Sequence, residues 1–157
     1  MKNASTITAN QSGDTIIVLN GSGLLQYFSV SPATITVTAI SESVDYFSVS
    51  PDNELLILQE RNGVLRVYDF EWKEGDKGTQ LIDLIDTGSG VSEILWHKDN
   101  SHLFLKDRDN NLRFVEIDGS YPINEVLISD GAGSCVYDAD AEALYYSYRD
   151  GVWKLEI

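Results

Sequence analysis

The chain has 157 residues, with 25 Asp and Glu against 11 Lys and Arg, a net charge of −14, 43% hydrophobic and 23% charged residues. This apolar content excludes a disordered acidic tail, and 3 Pro and 1 Cys exclude a Pro-rich linker and a disulfide scaffold. The acidic surplus, with no run of Lys or Arg, argues against nucleic acid and anionic membrane surfaces as partners and leaves a basic protein as the favoured one.

The length suits one domain, 1–157. No apolar run approaches the roughly 18 residues of a membrane helix. The opening Met1-Lys2-Asn3-Ala4-Ser5-Thr6 has no apolar leader stretch, so the cytoplasm is the expected compartment.

Read from its start, the chain alternates short apolar runs with turn residues and shows no sustained helical period. Residues 4–9 are a first strand, Ile16-Ile17-Val18 a second, Leu24 to Val30 a third, and Thr34-Ile35-Thr36-Val37-Thr38-Ala39 a fourth. The same order follows: Val44 to Val49 alternates, Ser50-Pro51-Asp52-Asn53 is a turn, and Leu56-Ile57-Leu58 is a continuous apolar triplet. Such a triplet is expected of an inner strand covered on both faces. Arg61-Asn62-Gly63 carries the Asn-Gly hairpin signal; Leu65 to Phe70 alternates, and residues 80–85 form the fourth strand.

These segments recur at fixed offsets. Gly63-Val64-Leu65 meets Gly23-Leu24-Leu25 at −40, Asn110-Asn111-Leu112 at +47 and Asp150-Gly151-Val152 at a further +40. The triplet at 56–58 meets 16–18, Leu103-Phe104-Leu105 and Ala143-Leu144-Tyr145 by the same shifts, and the turn at 50–53 meets 10–13, His97-Lys98-Asp99-Asn100 and 137–140. The repeats therefore run approximately 4–43, 44–90, 91–130 and 131–157. The seven extra residues of the second fall within Glu71 to Thr79, and the third repeat's last strand is expected near Ile123 to Ile128. Four antiparallel strands every ~40 residues are the pattern of a β-propeller blade, whose sheet is covered only when blades stack. The expected fold is all-β: four blades, the last lacking its fourth strand, forming a small ring or a section of a larger propeller.

Ser50-Pro51-Asp52-Asn53 resembles the Ser-Pro-Asp-Gly turn, and Asn62 to Phe70 the third strand, of the WD-repeat superfamily. The bacterial TolB-like and lactonase-like propellers share that turn. Tyr68-Asp69, Val115-Glu116 and Leu155-Glu156 stand where WD repeats have Trp-Asp, so the resemblance implies the architecture without a subfamily.

Candidate chemistry is sparse. A hydrolase triad needs a nucleophile, a base and an orienting acid; His97 and His102 are the only histidines, and both sit at positions the repeat itself explains. No Gly-x-Ser-x-Gly elbow occurs. Cys135 falls in a first strand and reads as a core thiol. Asp107, Asp109 and Asn111 are spaced like the start of a calcium loop, with Leu112 where such a loop needs Gly; a hairpin turn explains them. Asp69, Glu116 and Glu156 share one repeat position and read as structural or solvated acids. Trp96 shares a position with Ala9, Val49 and Val136 and reads as a core column. No catalytic residue, metal ligand or cofactor site is assigned.

Partner contacts are expected at Trp72, an aromatic in a polar insertion, and at Tyr146, Tyr148 and Trp153, in the aromatic cluster of the last repeat. The expected function is a non-catalytic protein-interaction scaffold presenting loops on rigid blades, completed by further blades or by self-association through the open edge at Val152 to Ile157. The alternatives are the propeller domain of a hydrolase, lactonase-like or peptidase-gating, and a propeller binding a small ligand or carbohydrate.

Overall fold

The computed structural model describes residues 6–9, 13–71, 81–86, 88, 90–117 and 123–157. Every regular element among them is a β-strand, and fifteen strands form four antiparallel sheets. The chain divides into two compact units, Met1–Phe47 and Ser48–Ile157.

In the first unit β1 (Thr6–Ala9), β2 (Thr15–Leu19), β3 (Leu25–Val30) and β4 (Ile35–Ser41) lie side by side in chain order. Ile17, Leu25 and Val44 are its buried apolar residues. Val44 opens β5 (Val44–Val49), which continues into the second unit.

The second sheet has the order β5, β6 (Leu55–Glu60), β7 (Val64–Asp69) and β8 (Leu81–Asp86). The third runs β9 (Val91–Trp96), β10 (His102–Asp107), β11 (Leu112–Glu116) and β12 (Glu125–Ser129), and the last has three strands, β13 (Ala132–Asp138), β14 (Ala143–Tyr148) and β15 (Gly151–Glu156). The all-β, four-blade expectation with a three-stranded last blade is therefore met. The last strand of the third blade spans Glu125–Ser129, a little beyond the expected segment.

The local cause of each blade repeats with the sequence. Gly13, Asn53 and Asn100 share a repeat position, and all three have positive φ. So do Gly23, Gly63 and Asn110 at the next turn. Only Gly and Asn enter the left-handed region at small cost, which is why these residue types recur there. The register between third and fourth strands slips at Leu25, Leu65 and Leu112, again one repeat position. Each is a bulge beside a fully buried leucine, and bulges increase the local twist.

Inner strands carry the core. Leu56, Ile57 and Leu58 are fully buried, as are Leu103 and Leu105, with Phe104 nearly so. Within the second unit the last two blades meet around Phe104, Leu112, Ala132, Cys135 and Leu144, with Leu95, Phe114, Ile128, Tyr137 and Tyr146 packed against them. Polar ties add to this contact. The Ala132 amide donates to the Asn110 carbonyl, Cys135 Sγ to Glu93 Oε2, and Lys98 pairs with Glu142. The two blades before are joined by Gln59 Oε1, buried, which accepts the Val91 amide at 3.0 Å, and by Trp96 Nε1, which donates to Ser48 Oγ at 3.0 Å.

One expectation is corrected. The column of Trp96, Ala9, Val49 and Val136 is not core: Trp96 and Val49 are half-buried, Ala9 is exposed and Val136 is 61% exposed. Leu65 and Leu112 are fully buried, and Val152 at their position is 77% exposed. Positions that are core in one repeat are thus surface in another.

Candidate functional site

Three of the four residues expected to contact a partner come together. Tyr146 and Trp153 lie opposite each other in the β14–β15 register, and Tyr148 pairs with Gly151 at the end of the same hairpin. Opposed residues in an antiparallel pair project to one face, so the two rings share a side of the sheet. Trp72 lies outside the described residues.

Around these rings are two shallow recesses. One, of about 210 Å³, is lined by Ile128, Ser129, Asp130, Tyr146, Tyr148 and Trp153. The other, of about 590 Å³, is bounded by the hairpin residues from Tyr148 to Trp153 and is wide open to solvent. Trp153, common to both, is 55% exposed. The Arg149 guanidinium sits 5.0 Å from the centre of the Tyr148 ring, within cation–π range. Arg149 has φ +53° at the tip of this two-residue turn, a conformation unfavourable for a side chain of its kind. Gly131 lets Tyr148 settle: a Cβ there would lie 3.2 Å from Cε2 of the ring.

This surface combines amphipathic aromatics, one cation and two exposed carboxylates, Asp130 and Asp150. It can bury apolar area against a partner while hydrogen-bonding at its rim. It holds no nucleophile–base pair.

The other candidates fall as follows. Cys135 is buried and 3.3 Å from Glu93 Oε2. Burial, reinforced by that carboxylate, pushes its thiol up to about 12, so it stays protonated and unreactive at neutral pH. Asp107 is buried and its carboxylate is saturated: Oδ1 accepts the amides of Asp109 and Asn111, and Oδ2 faces Asn111 Nδ2 at 2.8 Å and Arg113 at 3.3 Å. It is the cap of the β10–β11 hairpin. Asp69 Oδ1 caps the Glu71 amide, Glu116 takes Asn124, and Glu156 pairs with Lys154, three separate local roles. Sequence reasoning treated His97 and His102 only as possible bases. It missed that the hairpin brings their Nδ1 atoms to the two oxygens of one carboxylate, Asp99, with the rings nearly perpendicular. The signal was present in the two-histidine spacing across a turn.

No family model matches the chain, and no curated protein matches it. Solved structures do. A candidate 6-phosphogluconolactonase from Bacteroides fragilis superposes with a TM-score of 0.62 at 12% identity, over 96% of this chain and 49% of the other. The Cps50 (Swd1) β-propeller domain of Myceliophteria thermophila gives 0.63 at 13% identity, over 92% and 48%. Dihydro-heme d1 dehydrogenase NirN, in complex with DHE, gives 0.65 at 15% identity, over 97% and 34%. The chain thus spans about half the length, or less, of the structures it resembles. At such identities the likeness carries the fold and no activity, and with the four sheets it establishes that this chain has the β-propeller fold, as a section of four blades with the last three-stranded.

Proposed function

We propose that the chain is a non-catalytic protein-interaction module, and that the Tyr146, Tyr148 and Trp153 surface is its partner contact. The observation that carries this reading is the convergence of three large aromatics on an open recess, one ring more than half exposed, on one antiparallel hairpin. Tyr and Trp anchor interfaces because each buries a large area at low entropic cost. The charge of −14 favours a basic partner and gives an association rate that falls with salt.

The test compares wild type with Trp153→Ala and Tyr148→Ala as immobilised baits, each verified by circular dichroism. The expected result is a basic protein retained by wild type, lost from both variants, and rebinding when purified. Identical retention by all three baits overturns the reading.

The runner-up is the propeller domain of a lactonase-like hydrolase. It is favoured by the resemblance to the Bacteroides fragilis structure and to a second candidate 6-phosphogluconolactonase, from Bacteroides uniformis, with TM-score 0.59 and 13% identity over 92% of this chain and 47% of the other. Turnover of sugar lactones above the spontaneous rate would support it and displace the scaffold reading.

A further inference from the structure

We propose that His97, Asp99 and His102 form a binding site for a transition-metal dication such as Zn²⁺ at the β9–β10 turn. Two imidazole nitrogens and one carboxylate oxygen meet there from a single hairpin. His97 Nδ1 lies 3.0 Å from Asp99 Oδ1, His102 Nδ1 lies 2.8 Å from Asp99 Oδ2, and the three donor atoms all fall within 4.8 Å of one another. Zinc bonds to nitrogen and oxygen of about 2.0–2.2 Å in tetrahedral geometry set neighbouring donors about 3.3 Å apart, so modest side-chain movement suffices.

The hairpin itself brings the ligands together. The His97 amide donates to the His102 carbonyl at 3.0 Å, which makes the two residues an opposed pair, with ring centres 5.9 Å apart. Packing holds both rings. His102 stacks on Phe114 at 4.8 Å and 4°, and His97 lies against Phe104, Phe114 and Tyr137. Ligands fixed by their surroundings lose little freedom on binding.

Two further observations separate this turn from an ordinary one. First, the histidines are not needed to build it. At the same position of the second blade Ser50 Oγ bonds Asp52 and accepts the Leu55 amide at 2.9 Å, and the turn closes with every one of those groups satisfied. In the third blade Asp99 Oδ1 alone does the capping, accepting the amides of Ser101 and His102 at 2.9 and 3.1 Å. Secondly, three buried side-chain polar atoms among the described residues lack a hydrogen-bond partner: His97 Nδ1, Asn100 Oδ1 and Tyr137 Oη. His97 Nδ1 is close to Asp99 but not in hydrogen-bonding geometry. Asn100 belongs to the same turn, and the Tyr137 ring centre is 5.2 Å from that of His97. Unpartnered buried polar groups are costly, and two of these belong to the one turn.

Asp99 is suited to the ligand role: its two carboxylate oxygens face the two Nδ1 atoms, Oδ1 at 3.0 Å from His97 and Oδ2 at 2.8 Å from His102. On binding, each neutral imidazole carries its proton on Nε2 and gives the Nδ1 lone pair to the metal.

The experiment titrates the full chain with Zn²⁺ by calorimetry and reads the imidazole nitrogens of the ¹⁵N-labelled protein. The expected result is one saturable site, perturbation of Nδ1 in both histidines with Nε2 still protonated, and affinity lowered at least about tenfold in His102→Gln and in Asp99→Asn. Absence of binding, binding without change at either imidazole, or equal affinity in both variants overturns the proposal, the last meaning adsorption to the acidic surface. If a variant fails to fold, the nitrogen spectrum of the wild-type chain decides alone.

Discussion

Buried polar contacts at single positions set the clearest expectations. Gln59 is 2% exposed and its Oε1 takes the Val91 amide of the next blade. Gln59→Leu keeps the volume and strands that amide, so urea unfolding should show a loss of about 1–3 kcal/mol. Cys135 gives a pH signature. Its folded thiol titrates at about 12 against 9.0 for the free group, so above pH 9 the unfolded chain releases a proton that the folded chain keeps. The unfolded state then binds fewer protons, and stability contributed at this site falls as pH rises from about 9 towards 12. The alkaline decline of the denaturation midpoint should be shallower in Cys135→Ala than in wild type. The place of Cys135 in the core was legible in sequence; the role of Gln59 was not, because it is one of several polar residues beside a hydrophobic triplet and only the neighbouring strand supplies the amide it serves.

For elements, the repeat makes an internal control. Leu105 and Tyr145 occupy the same position in consecutive inner strands, the first fully buried and the second half-buried. Leu105→Ala should cost about 2–5 kcal/mol, the range for a large-to-small change in a closed core. Tyr145→Ala should cost clearly less, and equal losses in chemical denaturation would mean that the outer face is covered in solution. The strands themselves were readable because alternation and apolar triplets state their burial directly. The turns were readable because Gly13, Asn53 and Asn100, like Gly23, Gly63 and Asn110, are the residue types that left-handed backbone requires. The last blade departs from this: its left-handed residues are Glu142 and Arg149, displaced from the repeat positions and of types that no turn rule selects. Arg149→Gly should raise stability by up to about 1 kcal/mol in thermal unfolding, since relief of the left-handed penalty outweighs loss of an exposed cation–π contact with Tyr148.

For the whole molecule, the outer face and edge of the last blade govern association. Val136, Val152 and Trp153 are exposed apolar residues, and among the described residues β15 is an edge strand of its sheet. Apolar contact favours self-association, while −14 of net charge opposes it over distances that salt shortens. Light scattering should therefore show mass rising with protein concentration and with ionic strength, and Val152→Lys should suppress the rise. A monomer under all these conditions would leave further blades or a different partner as the cover. The all-β class, the four repeats and the three-stranded last blade followed from the sequence alone, because strand periodicity and turn chemistry are local and repeat with the chain. Tertiary structure decided which equivalent positions are core or surface. It also placed Tyr146, Tyr148 and Trp153 around one recess and set His97 and His102 on either side of Asp99. Burial depends on whether another sheet lies against a face, and a site depends on register across a hairpin, and neither is carried by any residue in isolation.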